Sequence, residues 1–140
     1  MNDPNIGFFE EIEHTADLSL RCGGPDLAHL FRNAARGMYH LMGVERRSPQ
    51  KRVRHSVALA ALDVESLLVD WLSELAYLAE TRSMVFDGMV FESLSATRLQ
   101  AELTGGRAAR IETLIKAVTF HRLEVEQSAE GFTATVVFDV

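Results

Sequence analysis

A single cysteine among 140 residues removes two kinds of chemistry at once. Cys22 has no second thiol to pair with, so no intramolecular disulfide forms and no thiolate zinc site can be built. Its place at a strand end, before Gly23-Gly24, fits ordinary packing better than nucleophilic catalysis. Positive charge is also scarce. The chain has 14 lysines and arginines against 20 aspartates and glutamates, a net charge of −6 and a pI of about 5.3. Proteins that neutralise many phosphates carry a basic surface, so the composition argues against a dominant nucleic-acid role. The one basic cluster, Arg46-Arg47 with Lys51, Arg52 and Arg54, reads as a solvated loop leading into an edge strand. Any link to nucleic acid is therefore expected to run through a partner protein. No apolar run approaches the roughly 20 residues that span a bilayer. Met1-Asn2-Asp3-Pro4 has neither a basic segment nor an apolar signal core, so no membrane partner and a cytoplasmic location are expected. Phosphate-binding glycine loops, nucleophile elbows and zinc-protease helices are missing too.

The chain that remains has the size of one domain. A single domain is expected over residues 1–140, with residues 1–7 as a flexible N-terminal tail. With 47% hydrophobic residues it should bury roughly two-thirds of its unfolded surface. Phe8 to Leu20 reads as a first strand, with Phe8, Ile12, Ala16, Leu18 and Leu20 on one parity and Phe9, Glu11, Glu13, Thr15, Asp17 and Ser19 on the other. Gly23-Gly24-Pro25-Asp26 supplies a turn and a helix start. Leu27, Leu30, Phe31, Ala34, Ala35, Met38 and Leu41 form one helical stripe, closed by Gly43. Val53, Val57 and Leu59 mark a strand ending near Ala61.

Asp63 is placed to cap a second helix, whose stripe runs from Val64 through Trp71 and Leu75 to Ala79 and stops near Thr81. Trp71 and Tyr77 are expected in the core. Met84 to Phe91 and Ser95 to Leu103 read as a hairpin followed by a Gly105-Gly106 loop. Leu114 to Glu126 reads as another strand and Phe132 to Val140 as the last. The resulting order, β-α-β-α-β-β-β-β, predicts an α+β two-layer sandwich with two helices packed on one face of a mostly antiparallel sheet.

The polar constellation of interest is Glu13-His14-Thr15-Ala16-Asp17 together with Asp139-Val140. Alternation along a strand sends Asp17 to the side opposite His14, and Asp139 away from Phe138. If the first and last strands approach, Asp17 and Asp139 could share a hard cation such as calcium or magnesium, with the carboxylate of the chain end adding oxygen donors beside Asp139. Without one, two nearby carboxylates repel or one takes up a proton. His14 and His121 fall in expected strands and suit either a ligand or base role, or a structural hydrogen bond. Lys116 suits either an anion contact or a snorkelling strand lysine. No catalytic triad can be assembled.

These residues also carry a family pattern. Glu13-His14-Thr15-Ala16-Asp17 resembles the N-terminal signature of the archease family. Asp70-Trp71-Leu72-Ser73-Glu74-Leu75-Ala76-Tyr77 is similar to its central helix motif. Ile115-Lys116-Ala117-Val118-Thr119-Phe120-His121 is similar to its late strand, with Phe120 where tyrosine is frequent, and Phe138-Asp139-Val140 to its ending. The resemblance covers about Phe8 to Val140.

It implies an accessory activator, not an enzyme, whose partner is an RtcB-type RNA ligase acting in tRNA splicing and RNA repair. The activator would promote the ligase's guanylylation and multiple turnover, and would meet RNA only indirectly through the ligase. Asp17, Asp139 and Val140 would ligate a divalent metal, calcium foremost with magnesium or manganese as alternatives, and Glu13, His14, Lys116 and His121 would border the site. The competing expectations are a small metal-dependent phosphoesterase, with Asp17 and Asp139 as ligands and His14 or His121 as base, and a chaperone-like domain.

Overall fold

The computed structural model describes residues 6–12, 17–46 and 51–140. In chain order the elements are β1 (Phe8–Ile12), β2 (Leu18–Gly24), α1 (Leu27–Met42), β3 (Glu45–Arg46), β4 (Val53–Ala60) and α2 (Val64–Arg82). They are followed by β5 (Met84–Leu94), β6 (Arg98–Arg110), β7 (Ala117–Thr119), β8 (Glu126–Ser128) and β9 (Gly131–Asp139). Every pairing among the described residues is antiparallel. The expected α+β class with two helices and antiparallel sheet is what the chain adopts, but the strands divide into two sheets. One runs β1-β2-β9-β7, with β8 also paired to β9; in the other, β6 pairs with β3, β4 and β5.

Both helices are fixed at each end by the local chemistry of their caps. Asp26 accepts from the amide of His29 at 2.8 Å and Asp63 from that of Ser66 at 2.7 Å, each satisfying an otherwise orphaned first-turn donor. At the far end of α1, Gly43 takes φ +64°, where a glycine has no Cβ to strain. Leu30, Phe31, Ala34, Ala35, Met38 and Met42 of α1 are fully buried, and the helix packs on β2 and β1. Leu67, Leu68, Trp71, Leu72 and Leu75 of α2 are as deeply buried, facing β5, β4, β6 and β7. The Trp71 indole donates to the Phe31 carbonyl at 3.0 Å and so ties the helices together inside the core.

Five expectations are corrected. Phe8 to Leu20 is not one strand: β1 and β2 pair with each other, so the chain reverses between Ile12 and Leu18. The parity of β1 is also inverted. Phe9, paired with buried Cys22, packs toward α1 and lies 5.6 Å from the His40 ring, whereas Phe8 lies under the Arg21 guanidinium. Gly105 and Gly106 are no loop; they lie buried inside β6. Leu114 to Glu126 is not a continuous strand: it holds the three residues of β7 and the first of β8, separated by a turn. Finally, Tyr77 is 58% exposed although Trp71, on the same helix, is fully buried. A phenol hydroxyl is content in water, so an aromatic near the edge of a helical stripe does not have to be core.

Candidate functional site

Four of the sequence-derived site residues, Asp17, Lys116, Asp139 and Val140, lie at or beside the end of β9. This strand is central: Leu18 lies opposite Phe138 on one side, and Ala117 opposite Asp139 on the other. Phe138 and Val136 are fully buried and anchor it through the apolar parity expected for the last strand. Carried one residue beyond Leu18 and Phe138, the register brings Asp17 and Asp139 to the same strand end. Asp17 is partly buried in the bend before β2; Asp139 and Val140 are exposed. Among the described residues, neither carboxylate has a Lys, Arg or His partner.

Lys116 stands next to this end. Its amide donates to the Asp139 carbonyl at 2.8 Å, while the residue itself is exposed. It also lines a shallow cleft of about 150 Å³ between α2 and β7, with Ser73, Tyr77, Glu80 and Val118 around it. His121 lies elsewhere. It is two residues past the end of β7, exposed in the turn where Arg122 takes φ +51° and the Leu123 amide bonds to the Phe120 carbonyl. Since Thr119 pairs with Val137, the chain at His121 has already moved along β9 away from Asp139. The expected strand position for His121 is thus replaced by a turn. Glu13 and His14 lie outside the described residues.

What the site offers chemically is oxygen. Among the described residues no three His, Cys, Asp or Glu side chains gather closely enough to hold a metal by themselves. Two carboxylates with neighbouring main-chain oxygens make a hard, partial donor set, the type that suits calcium or magnesium with water filling the remaining positions. Thiolate chemistry has no place here. Cys22 is fully buried, its Sγ is 3.6 Å from the Ala134 carbonyl oxygen, and burial pushes its thiol up to about 12.

A second charged feature went unnoticed in the sequence. Asp87 pairs with Arg52 at 2.5 Å and with Arg46 at 3.1 Å, and the Arg52 hydrogen bond holds its carboxyl below the usual carboxylate range. Asp87 is far along the chain from the two arginines and meets them only through strand pairing, so no local motif announces the cluster.

Comparison with known proteins agrees with this architecture. A model of the archease protein family (MTH1598/TM1083) matches residues 9–140. The chain is 36% identical to protein archease of Methanosarcina acetivorans, over 94% of this chain and 95% of that protein. It is 33% identical to protein archease of Archaeoglobus fulgidus, over 92% and 96%. The solution structure of Methanobacterium thermoautotrophicum protein 1598 superposes with a TM-score of 0.67 at 28% identity, covering 94% of this chain and 98% of that one. The crystal structure of a Thermotoga maritima archease, described as a possible chaperone, superposes with a TM-score of 0.69 over 94% and 96%. At 20% identity it bears on the fold alone.

Proposed function

The chain belongs to the archease family, and on that premise we propose that it is a metal-binding accessory protein that activates an RtcB-type RNA ligase. In this reading it promotes the ligase's guanylylation and its repeated turnover in tRNA splicing and RNA repair, and performs no chemistry of its own. The observation that supports the metal site is the register that carries Asp17 and Asp139 to one strand end, where neither carboxylate has an ion-pair partner among the described residues. Two such carboxylates fit a divalent cation, for which calcium suits the all-oxygen set best and magnesium or manganese are the alternatives. Asp17, Asp139 and a main-chain oxygen of Val140 would hold it. When bound, the ion supplies positive charge and open coordination positions that a partner's oxygen groups can enter.

The protein's own residues would shape that contact. β2 and β7 hold the end of β9 from both sides, so Asp139 is presented without a large loss of backbone freedom. Lys116, whose amide bonds to the Asp139 carbonyl, lines the adjoining cleft together with the amphipathic ring of Tyr77. A phosphoesterase reading is weaker. His121 stands away from the two aspartates, which leaves the described residues of the site without a general base.

The test is guanylylation of the cognate ligase and multiple-turnover RNA joining, with wild-type protein and with Asp17→Ala and Asp139→Ala. Stimulation by wild type that disappears in folded variants supports the reading. A ligase indifferent to wild-type protein overturns it and leaves the chaperone-like role to be tested.

A further inference from the structure

β6 has β4 on one side and β5 on the other, so β4 and β5 form the two edges of this sheet. The phase of the ladders fixes which backbone groups each edge turns outward. On the β4 side the Ala61 amide donates to the Thr97 carbonyl; on the β5 side the Ala108 amide donates to the Ser83 carbonyl. Bonded and non-bonded pairs alternate along an antiparallel ladder. Hence Val53, His55, Val57 and Leu59 spend their amides and carbonyls on β6, and those of Arg54, Ser56, Ala58 and Ala60 point away from it.

The two edges differ in how they are guarded. β5 is interrupted by two register slips, at Phe86/Gly88 and at Phe91/Ser93, and α1 lies against it. From α1, the Tyr39 hydroxyl accepts from the Phe86 amide at 3.3 Å and Arg32 donates to the Met89 carbonyl at 3.1 Å. β4 has no such guard. Its eight residues pair with β6 without a slip and include no proline, and of the described elements only β6 and α2 approach it. Arg54, Ser56, Ala58 and Ala60 are all exposed, and among the described residues nothing bonds to their outward backbone groups. A row of free donors and acceptors is a template for another strand.

We propose that this edge pairs antiparallel with β4 of a second copy of the chain, joining the two sheets into one across a two-fold axis. A two-fold operation presents each outward amide with an outward carbonyl of the same strand, so the edge is complementary to itself. The pairing has to set outward groups opposite one another and keep both copies' helices on one side. A register centred on Val57 does both. It sets Ser56 opposite the second copy's Ala58 and Arg54 opposite its Ala60, so the strands overlap almost completely. Arg54 is the strand's only Lys, Arg, Asp or Glu, and here it faces a small neutral residue instead of its own counterpart. On the inner face Val57 meets Val57 and His55 meets Leu59, which continues the apolar row of β4 across the seam. Leu62, 95% exposed two residues past the strand, adds apolar surface at each end. Edge pairing alone buries less than the roughly 1,200 Å² of a standard interface, so the dimer should be weak and concentration-dependent.

Sedimentation equilibrium of the full chain from about 10 μM to about 1 mM spans the affinity expected of so small an interface. Wild type should pass from monomer to dimer over this range. Ala58→Pro removes an outward amide and leaves the β6 ladder intact, because proline is tolerated on a free edge. It should weaken dimerisation about tenfold, as for two backbone hydrogen bonds lost per dimer. Ala58→Lys sets a charge into the seam and should weaken it as well. The control, Val90→Lys, puts the same charge on the same sheet face at the guarded β5 edge and should leave dimerisation within about twofold of wild type. Circular dichroism checks that each variant folds; if Ala58→Pro does not, Ala58→Lys decides.

A wild type that stays monomeric throughout overturns the proposal, as does a dimer that neither folded Ala58 variant weakens. Equal weakening by Val90→Lys also overturns it, because sheet faces and not edges would then be in contact. A monomeric wild type whose affinity for the cognate ligase falls with Ala58→Lys would give the edge to the ligase. Such a dimer neither needs nor excludes a ligase, so its failure and that of the activator reading are separate results.

Discussion

The main-chain amide of Lys116 donates to the main-chain carbonyl of Asp139 at 2.8 Å. This bond fastens the start of β7 to the end of β9, while Leu18 and Phe138 pair on the opposite side. Asp139 is therefore held between two neighbours. A ligand carried by such a backbone is preorganised, and replacing its carboxylate need not disturb the strands that place it.

The first prediction follows from that rigidity. Asp17→Asn and Asp139→Asn should retain the wild-type thermal transition in chelator. Wild type should gain stability on adding calcium, by about 2.7 kcal/mol at a hundredfold excess over the dissociation constant, and each variant should lose most of that gain. Scanning calorimetry with and without calcium reads both quantities. Identical calcium responses in wild type and variants would remove the two aspartates from the metal site.

Cys22 gives a prediction about access. The thiol is fully buried and its ionisation is pushed up to about 12, so little thiolate exists at neutral pH and no reagent reaches it. A disulfide reagent such as Ellman's should leave the folded protein unmodified over hours and titrate one thiol in denaturant. Rapid labelling of the native state would show that β2 and β9 separate readily.

The elements that were legible from sequence are those whose signal is local. Asp26, Gly43 and Asp63 mark helix ends because capping is chemistry of one turn, and they stand where expected. The alternation of Phe132, Ala134, Val136 and Phe138 identified the buried face of β9 for the same reason. What could not be read was which strands pair. The β1–β2 reversal, the division into two sheets and the Arg46–Asp87–Arg52 cluster all depend on pairing between distant segments. Gly105 shows the limit from the other side. A Gly-Gly pair usually signals a turn, yet here the missing side chain lets β6 approach the backbone of Val85 and Phe86 closely. At the candidate site, the β2–β9 register carries Asp17 and Asp139 to one strand end and Lys116 bonds to the Asp139 carbonyl, whereas His121 lies in a turn farther along β9.

Asp87 yields a pH prediction with a definite sign. Its carboxyl lies below the usual value of 3.8, chiefly through the Arg52 hydrogen bond, with partial burial opposing and the charges of Arg46 and Arg52 assisting. A depressed folded-state value means that ionised Asp87 stabilises the fold above about pH 4, and that this contribution is lost as pH falls through the folded value. Asp87→Asn should therefore be less stable than wild type at pH 7, with the difference shrinking toward pH 3. Urea unfolding at pH 7, 5 and 3 measures it. Because the cluster is well exposed, the effect should also weaken in high salt. A difference that stays constant across this range would mean that the carboxylate's charge is not what holds β3, β4 and β5 together.

Trp71 separates packing from hydrogen bonding in the core. Its ring is fully buried, lies 5.3 Å from the Phe91 ring, and spends its only polar hydrogen on the Phe31 carbonyl. Trp71→Phe keeps most of the apolar volume but removes the indole hydrogen bond from a carbonyl that lies within α1, at a cost of about 0.5–1.5 kcal/mol. Trp71→Ala removes the ring as well and should cost about 3–5 kcal/mol, a large share of the stability of an ordinary domain. Urea unfolding followed by far-ultraviolet circular dichroism suits both variants, since neither retains the fluorophore. If Trp71→Phe proves as damaging as Trp71→Ala, the indole hydrogen bond between the helices outweighs the packing of the ring. If it proves harmless, packing alone holds α1 against α2.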